Sequence, residues 1–408
     1  MLGKISQYIQ ENKNYAINLT KTLVSIPTIN PPGENYKKIA DILRKELHDL
    51  KFKAENITVP PKFLKQYGID PSLERICVLG EWYVNSKSWL HITGHYDVVP
   101  AGNDWNFKPF VPIEEKGKIY GRGTEDMKGT IVSYLLALKS LKAIGIKPKF
   151  NIQASFVPDE ETGGRTGFNW LLENHFIKAH IGISEGYSKN FVAIGNKGII
   201  WAKIVVKGKP AHASRPRNGI NAFEISTRIS SDLLNLSKKI AKRKTKYPTE
   251  KKVDKFATMV IGGKAESGQK VNVVSDTSYF TVDRRILPEE NVKKILDEIT
   301  GIVKKYEKIY PESKIDFVID TCDKPTLKMP SIYLTKKFSS SIKTVFKKEA
   351  KYGILAGGTD LRFLLKKNIP CFGYSASGGG CWHSKDEFVY IQNILDTSKV
   401  VASFIYKL

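Results

Sequence analysis

Histidines and carboxylates that could bind metal ions recur along the chain, most of them in short loops. The candidates are His95, Asp126, Glu161, Glu185 and His383. This mixture of imidazole and carboxylate donors suits two zinc-type ions bridged by one carboxylate. Such a pair of ions can activate water and stabilise the oxyanion that forms when a carbonyl group is attacked. The sequence therefore predicts a site for metal-assisted hydrolysis.

Asp126 and the adjacent acids Glu160 and Glu161 each have a simpler explanation when taken alone. Asp126 precedes an apolar helix, where aspartate often caps the first turn, although the dense glycines around it favour a tight turn at a site. The acidic pair could lie in a solvated surface loop, but a bound cation explains three consecutive acids better. Because adjacent side chains point apart in extended backbone, one glutamate could bind metal while its neighbour contacts the attacking water.

Asp97 lies two residues after His95, where a predicted strand runs into a loop. A metal-bound histidine usually donates its second ring N–H to a carboxylate, so Asp97 is the expected partner of His95. Glu185 follows a short strand, and His383 lies in a glycine-rich loop close to Cys381, which could line the site. Neither Glu185 nor His383 is informative when taken alone. Several candidates, however, follow strands, and open α/β sheets bind ligands at the carboxyl ends of their strands.

The elements that must position these residues alternate between strand and helix in the first half of the chain. Strands are predicted at 89–99, 151–158 and 180–184, and an apolar-faced helix at 129–144. This alternation indicates an α/β domain whose sheet is largely parallel. After Asn196 the order becomes β-α-β-β-α-β, which is the ferredoxin-like pattern.

The predicted architecture is therefore α/β with one insertion. We expect residues 1–196 and 318–408 to form a catalytic domain with a mixed sheet and helices on both faces. Residues 197–317 would form an inserted α+β domain. No internal repeat or low-complexity tract suggests any other division.

The net charge of +24 raises the question of an acidic partner. The lysines are spread along the whole chain, and no nucleic-acid-binding signature accompanies them, so a solvated basic surface is favoured over nucleic-acid binding. The first residues lack a secretory signal, and no apolar run approaches the ~20 residues of a membrane span. A cytoplasmic protein without membrane or nucleic-acid partners is expected.

In their order along the chain, the motifs resemble those of the M20 metallopeptidase family, which includes deacetylases, a desuccinylase, aminoacylases and carboxypeptidases. The motifs are GHYDVVP (94–100), GRGTEDMKG (121–129), PDEETGG (158–164), SEG (184–186), GKPAHASRPRNGINA (208–222), DRRILP (283–288), GGTDLRF (357–363) and WHSKDEFV (382–389). The resemblance covers nearly the whole chain, and the ordered series is far more specific than any single motif.

The resemblance implies a role for each residue of the site. His95 and Glu185 would bind one ion, Glu161 and His383 the other, and Asp126 would bridge the two. Glu160 would be the general base, Asp97 would orient His95, and the Asp126–Met127 peptide would be cis. The two divalent ions in each subunit are expected to be Zn²⁺, with Co²⁺ or Mn²⁺ as alternatives.

The resemblance also implies a homodimer formed through residues 197–317, in which His212 reaches the partner's site and helps to bind the oxyanion. On sequence grounds alone, His212 would be a turn residue. Arg285 would take the substrate carboxylate. The other implied substrate contacts are Asn272, Gly358, Thr359 and Arg362, and a structural salt bridge is the alternative for Arg362.

The substrate class is suggested by Glu185, because members of the aminoacylase type typically carry glutamate at this position and peptidases carry aspartate. The expected reaction is hydrolysis of an N-acyl amino acid, as in a desuccinylase or deacetylase. A dipeptidase or carboxypeptidase is the alternative. A metal-free binding protein is less favoured, because all five ligands and the base are present.

Overall fold

The computed structural model of the protein describes residues 1–379 and 382–408. Gly380 and Cys381, the latter a predicted lining residue, lie outside the described residues. The helices are α1 (Leu2–Glu11), α2 (Lys13–Val24), α3 (Tyr36–Asp49), α4 (Pro61–Gln66), α5 (Gly129–Ala143), α6 (Phe168–Glu173), α7 (Ala222–Ile240), α8 (Val292–Ile309), α9 (Ile332–Phe346), α10 (Leu361–Lys366) and α11 (Ile391–Lys407). The strands are β1 (Lys53–Thr58), β2 (Ile76–Trp82), β3 (Trp89–His95), β4 (Ile113–Glu115), β5 (Lys118–Tyr120), β6 (Asn151–Val157), β7 (Ile181–Tyr187), β8 (Phe191–Asn196), β9 (Gly198–Lys207), β10 (Thr258–Ser267), β11 (Thr277–Ile286), β12 (Lys314–Asp323), β13 (Thr326–Leu327), β14 (Lys351–Leu355), β15 (Cys371–Tyr374) and β16 (Phe388–Tyr390).

The first of two compact units comprises Met1–Gly195, Lys328–Gly353 and Thr359–Leu408. Its main sheet has the strand order β1-β2-β6-β3-β7-β15-β8. The central strands β6, β3, β7 and β15 run parallel, and β1, β2 and β8 pair antiparallel at the flanks. Every residue of β6 and β7 is buried, as expected of parallel strands that are covered on both faces. The sheet is therefore mixed, as predicted.

Helices cover both faces of this sheet. A Cβ on Gly94 of β3 would lie 3.1 Å from Cγ1 of Ile131 on α5. On the same strand His91, whose side chain points to the opposite face, packs its ring against that of Phe168 on α6. Helix α5 is almost wholly buried and also packs against α11. Among the described residues, no helix combines the length and the apolar character that a membrane span requires.

The second unit comprises Asn196–Leu327 and Ile354–Gly358. Its antiparallel sheet has the order β10-β11-β9-β12, and α7 and α8 supply the helical layer, which gives the β-α-β-β-α-β succession. Burial alternates along β9 and β11, so one face of the sheet packs on the core that includes Ile229, Leu233 and Ile299 of the two helices. The unit thus builds its own hydrophobic core.

The sequence placed the end of the insertion at residue 317, which falls inside β12. The strand continues to Asp323 through the segment IDTCD. The second unit then continues to Leu327 and takes a short return segment, Ile354–Gly358. Among the predicted pocket residues, Gly358 therefore belongs to the second unit and Thr359 to the first.

Candidate metal centre

Neighbouring strand ends bring the candidate ligands to one edge of the main sheet. His95 is the last residue of β3, and Glu161 lies in a short turn just after β6. Glu185 was expected after its strand but lies within β7. It lies at a bulge, because Gly373 of β15 pairs with Ser184 whereas the next residue, Tyr374, pairs with Tyr187. A bulge re-aims the side chains of the extra residues, and here it accompanies the entry of Glu185 into the site.

Three side chains form a first potential metal site. Nε2 of His95 lies 3.0 Å from Oδ1 of Asp126 and 4.0 Å from Oε2 of Glu185. One ligand atom from each of the three lies within 4.8 Å of the other two, which is the spacing of donors around a single ion.

A second triad shares Asp126 with the first. Nε2 of His383 lies 3.3 Å from Oδ2 of Asp126 and 3.1 Å from Oε2 of Glu161. Asp126 therefore presents one carboxylate oxygen to each triad, which is the arrangement of a bridging ligand. The peptide between Asp126 and Met127 is cis, which confirms the expected geometry.

The donor set fits two divalent cations. Burial raises the pKa of Glu160 to about 8 and that of Glu161 to about 7, and it raises the pKa of Glu185 well above its ordinary value. Carboxylates gathered in a buried space repel one another unless positive charge compensates them. Two imidazoles together with carboxylate oxygens are ordinary ligands of zinc and of similar ions.

Asp97 ties the first triad to the loop after β6. Its Oδ1 lies 3.3 Å from Nδ1 of His95, and both side chains are buried. The same carboxylate accepts the backbone N–H groups of Glu160 and Glu161, each at 3.2 Å. A proton held on Nδ1 leaves Nε2 of His95 as the metal-binding atom.

Glu387 holds the loop that carries Asp126, a role that the motifs did not predict. Its Oε1 accepts the N–H groups of Glu125 at 2.8 Å and of Asp126 at 3.1 Å. Its Oε2 accepts the N–H of Gly123 at 3.0 Å and pairs with Nη1 of Arg122 at 2.7 Å. The only signal in the sequence was its place in WHSKDEFV, next to a candidate ligand.

Asn30 and Asp159 are two further supports that sequence reasoning missed. The buried side-chain amide of Asn30 donates to Oδ2 of Asp97 at 2.9 Å and to Oδ1 of Asp159 at 3.0 Å. Asp159 in turn forms a buried ion pair with Arg75 at 2.7 Å. Neither residue has a signal of its own in the sequence, because Asn30 stands beside prolines and Asp159 beside two acids that are themselves candidates.

Glu160 lies beside Arg362, whose Nη1 is 3.7 Å from Oε1 of the glutamate. Nη2 of Arg362 donates to the carbonyl oxygen of Gly163 at 2.6 Å, in the same loop. The predicted substrate contact Arg362 thus lies against the loop that carries the candidate base. Thr359 is buried, and its hydroxyl has no hydrogen-bond partner among the described residues.

The remaining predicted residues lie in the second unit. Nδ1 of the exposed His212 accepts the N–H of Ser214 at 3.2 Å, and the backbone beside it pairs with the segment of Asn272. Arg285 on β11 forms two hydrogen bonds to Asp283, from Nε at 2.8 Å and from Nη2 at 2.9 Å.

Two potential metal-ligand triads share Asp126 at one edge of a mixed α/β sheet, which is the arrangement expected of a metal-dependent hydrolase. The chain belongs to the peptidase family M20/M25/M40, whose profile matches residues 91–407. It is therefore a hydrolase of amide bonds from a metal-binding family, as the motif series predicted.

Relatives similar in sequence span most of the chain. An uncharacterized metallohydrolase of Methanocaldococcus jannaschii is 31% identical over 94% of this chain and 97% of its own length. Aminoacylase-1 of Mus musculus is 29% identical over 69% of this chain and 68% of its own length. Succinyl-diaminopimelate desuccinylase of Rickettsia bellii is 27% identical over 84% of both chains.

A solved structure shares the fold. A dipeptidase from Saccharomyces cerevisiae superposes with a TM-score of 0.80 at 16% identity, covering 100% of this chain and 98% of its own. At this identity the likeness concerns the fold, not the substrate.

Proposed function

We propose that the protein is a di-zinc deacylase that hydrolyses the amide bond of N-acyl amino acids. The observation that carries the proposal is that Asp126 presents Oδ1 to one ligand triad and Oδ2 to the other. Glu160, adjacent in sequence to the ligand Glu161, supplies an acid that is not needed as a ligand.

Each ion would be held by one triad, the first by His95, Asp126 and Glu185 and the second by Asp126, Glu161 and His383. When bound, such ions lower the pKa of water and polarise a carbonyl group. The backbone carbonyl oxygen of Asp97, 3.1 Å from Nδ1 of His95, and its carboxylate at 3.3 Å hold the proton on Nδ1, so the ring offers Nε2 as ligand throughout the reaction.

Glu160 is the proposed proton carrier. Hydrolysis forms a bond from water oxygen to the carbonyl carbon and breaks the carbon–nitrogen bond, so one proton must move from water to the leaving nitrogen. Burial raises the pKa of Glu160 to about 8, and a base with a pKa near the working pH can both accept and return a proton. Its backbone N–H bond to Asp97 and the neighbouring Arg362 fix its place.

The N-acyl amino acid class is supported by two of the relatives, which are named as an aminoacylase and a desuccinylase and match by sequence. Glutamate at position 185 agrees with the aminoacylase type. A dipeptidase activity is the competing proposal, supported by the shared fold with the yeast dipeptidase. The substrate panel below separates the two.

His212 is proposed to act across a homodimer formed by the second unit. Because Nδ1 accepts the backbone N–H of Ser214, a neutral ring carries its proton on Nε2. Among the described residues, nothing hydrogen-bonds to this Nε2–H, so it can donate to an oxyanion that develops in the partner's site.

Arg285 is the proposed partner of the substrate carboxylate, together with contacts from Asn272, Gly358 and Thr359. Its bonds to Asp283 use Nε and Nη2. Among the described residues, nothing accepts a hydrogen bond from Nη1, so this atom can donate to a ligand. Arg362 is reassigned within this proposal to support Glu160.

Two predictions from the sequence concern the location of the protein and its other partners. The protein is expected to be cytoplasmic, and it is expected not to bind nucleic acid. A filter-binding assay at low ionic strength checks the second point, because binding through phosphate contacts strengthens as salt falls. Retention of DNA or RNA at low salt would contradict it.

A hydrolysis panel tests the proposed function. Metal-stripped protein is restored with Zn²⁺, Co²⁺ or Mn²⁺ and offered N-acetyl amino acids, N-succinyl amino acids and dipeptides, with the Glu160→Ala protein as blank. We expect kcat/KM for an N-acyl amino acid to exceed that for every dipeptide by about tenfold or more, equivalent to ~1.4 kcal/mol. A preference for dipeptides would establish the peptidase alternative, and no turnover with any metal would refute both.

A further inference from the structure

Glu125, the residue before the shared ligand Asp126, fastens the loop that leads to His383. Its side chain is buried, and Oε1 accepts two consecutive backbone N–H groups, from Gly378 at 2.7 Å and from Gly379 at 2.8 Å. Consecutive N–H groups that converge on one oxygen form a small anion-binding concavity. The fit is tight, because a Cβ on Gly379 would lie 3.0 Å from Oε2 of Glu125.

Glu387 makes the reverse connection on the other side of His383. Its carboxylate accepts backbone N–H groups of Gly123, Glu125 and Asp126. Each of the two loops thus contributes a buried glutamate that binds the backbone of the other. Along the chain, His383 lies between the two attachment points, Gly379 and Glu387. We call the two buried acids Glu125 and Glu387 the reciprocal glutamate clamp.

His383 needs such support more than His95 does. His95 is buried at the end of a central strand and is held by Asp97. The side chain of His383 is 53% exposed, and among the described residues it contacts Asp126 and Glu161, the other two ligands of its triad. Surrounding side chains therefore fix the first histidine, whereas the loop attachments must fix the second.

We infer that Glu125 is a positioning residue that sets the affinity of the second ion, the one proposed for Asp126, Glu161 and His383, and leaves the first ion nearly unaffected. The inference rests on the proposed two-metal function. It extends that function because the affinity of only one of the two ions would depend on Glu125, a residue that is a ligand of neither ion. Outer-shell partners of metal ligands typically contribute about 10–100-fold in affinity.

Zinc binding to the full-length protein tests this inference. Binding curves are recorded by calorimetry with chelator-buffered Zn²⁺ for wild type, Glu125→Ala and Glu125→Gln. The Gln side chain keeps an acceptor oxygen for the two N–H groups, so it separates loss of the contact from loss of charge. Glu289→Ala is the matched control, because its carboxylate accepts the N–H of Lys246 in the second unit.

Wild type and Glu289→Ala should bind two ions. Glu125→Ala should weaken only the second by about 10–100-fold, and Glu125→Gln by less. In a His383→Ala protein, which lacks the second histidine, adding Glu125→Ala should change the affinity of the remaining ion by less than about twofold, since the two changes act on one site. Equal weakening of both ions, or two ions of wild-type affinity in Glu125→Ala, would overturn the inference.

A metal-free measurement separates this inference from the proposed function. Amide hydrogen exchange of the peptide that contains Gly378 and Gly379 should be at least about tenfold faster in Glu125→Ala than in wild type, and close to wild type in Glu289→Ala. Unchanged exchange refutes the clamp even if zinc binding falls. A wild-type protein that binds a single ion refutes the two-metal function, and the exchange result still decides whether Glu125 holds the loop.

Discussion

Nδ1 of His95 lies 3.3 Å from Oδ1 of Asp97 inside the first unit, and each of the two side chains is at most 1% exposed. The same carboxylate accepts the backbone N–H groups of Glu160 and Glu161. One buried acid thereby fixes the first histidine ligand, the candidate base and a ligand of the second triad. Its position links elements that are far apart in sequence but adjacent in the sheet.

Replacing Asp97 with Asn should weaken zinc binding by about 10–100-fold, as is typical when the partner of a ligating histidine is lost. The amide keeps the size of the carboxylate but not its charge, and the backbone carbonyl oxygen of residue 97, 3.1 Å from Nδ1 of His95, remains as an acceptor, so the variant tests the carboxylate alone. Competition for zinc with a chelating dye measures the effect. Asp232→Asn, which removes a surface partner of Lys305 in the second unit, is the control and should bind zinc normally. Wild-type zinc affinity in Asp97→Asn would show that the carboxylate of Asp97 does not orient His95.

Glu160→Ala and Glu160→Gln should lower kcat by about 10²–10⁴-fold, the usual contribution of a general base. Both variants should keep two metal ions, because Glu160 is absent from both ligand triads. Turnover of an N-acyl amino acid and metal content by elemental analysis are measured on the same samples. Glu173→Gln, a surface partner of Lys367, is the matched control and should be as active as wild type. Normal turnover in the Glu160 variants would refute the assignment of the base.

The order of elements could be predicted because hydrophobic periodicity is local. Strands around 89–99 and 151–158 and the buried helix after Asp126 follow from their apolar patterns, and the structure has β3, β6 and α5 there. Glu185 was placed after its strand because the strand signal stops at Ser184. The bulge that keeps Glu185 inside β7 depends on pairing with β15, almost 190 residues further along the chain.

The supports of the site could not be predicted, since each joins distant segments. Asn30 lies 67 residues from Asp97, and Glu125 lies 262 residues from Glu387. No periodicity or spacing connects such pairs, and a lone Asn beside prolines or a lone Glu in a loop has an ordinary explanation. The ligands were easier to predict because they stand in motif segments, and the structure brings their donor atoms together.

Zinc should stabilise the protein more at pH 8 than at pH 6. In the metal-free fold, burial raises the pKa of Glu160 to about 8 and that of Glu161 to about 7, above the ordinary 4.5. A raised folded-state pKa means that the folded form binds more protons, so the metal-free protein loses stability as pH rises from 4.5 through 7 and 8. Ligation needs Glu161 in its ionised form, and cations beside Glu160 favour its ionised form as well, so zinc binding strengthens over the same range.

Thermal unfolding with and without zinc measures this effect. At free zinc 100 times Kd the gain is about 2.7 kcal/mol for one site, and the increase in Tm should grow from pH 6 to pH 8. Asp126→Ala, which lacks the shared ligand, should show little increase at either pH. A zinc-dependent increase in Tm that shrinks as pH rises would contradict the assignment of Glu161 as a ligand.

His212→Ala should lower kcat by about 10²-fold or more without loss of metal, because removing one oxyanion donor has an effect of this size.

If His212 acts in the partner's site, mixing inactive Glu160→Ala and His212→Ala subunits restores activity. A mixed dimer then contains one site with Glu160 from one subunit and His212 from the other. Random assortment in a two-fold dimer gives about one quarter of the sites intact. The activity of refolded mixtures is compared with that of each variant refolded alone. Full metal loss in His212→Ala would make it a ligand, and mixtures without recovered activity would place its action within its own subunit.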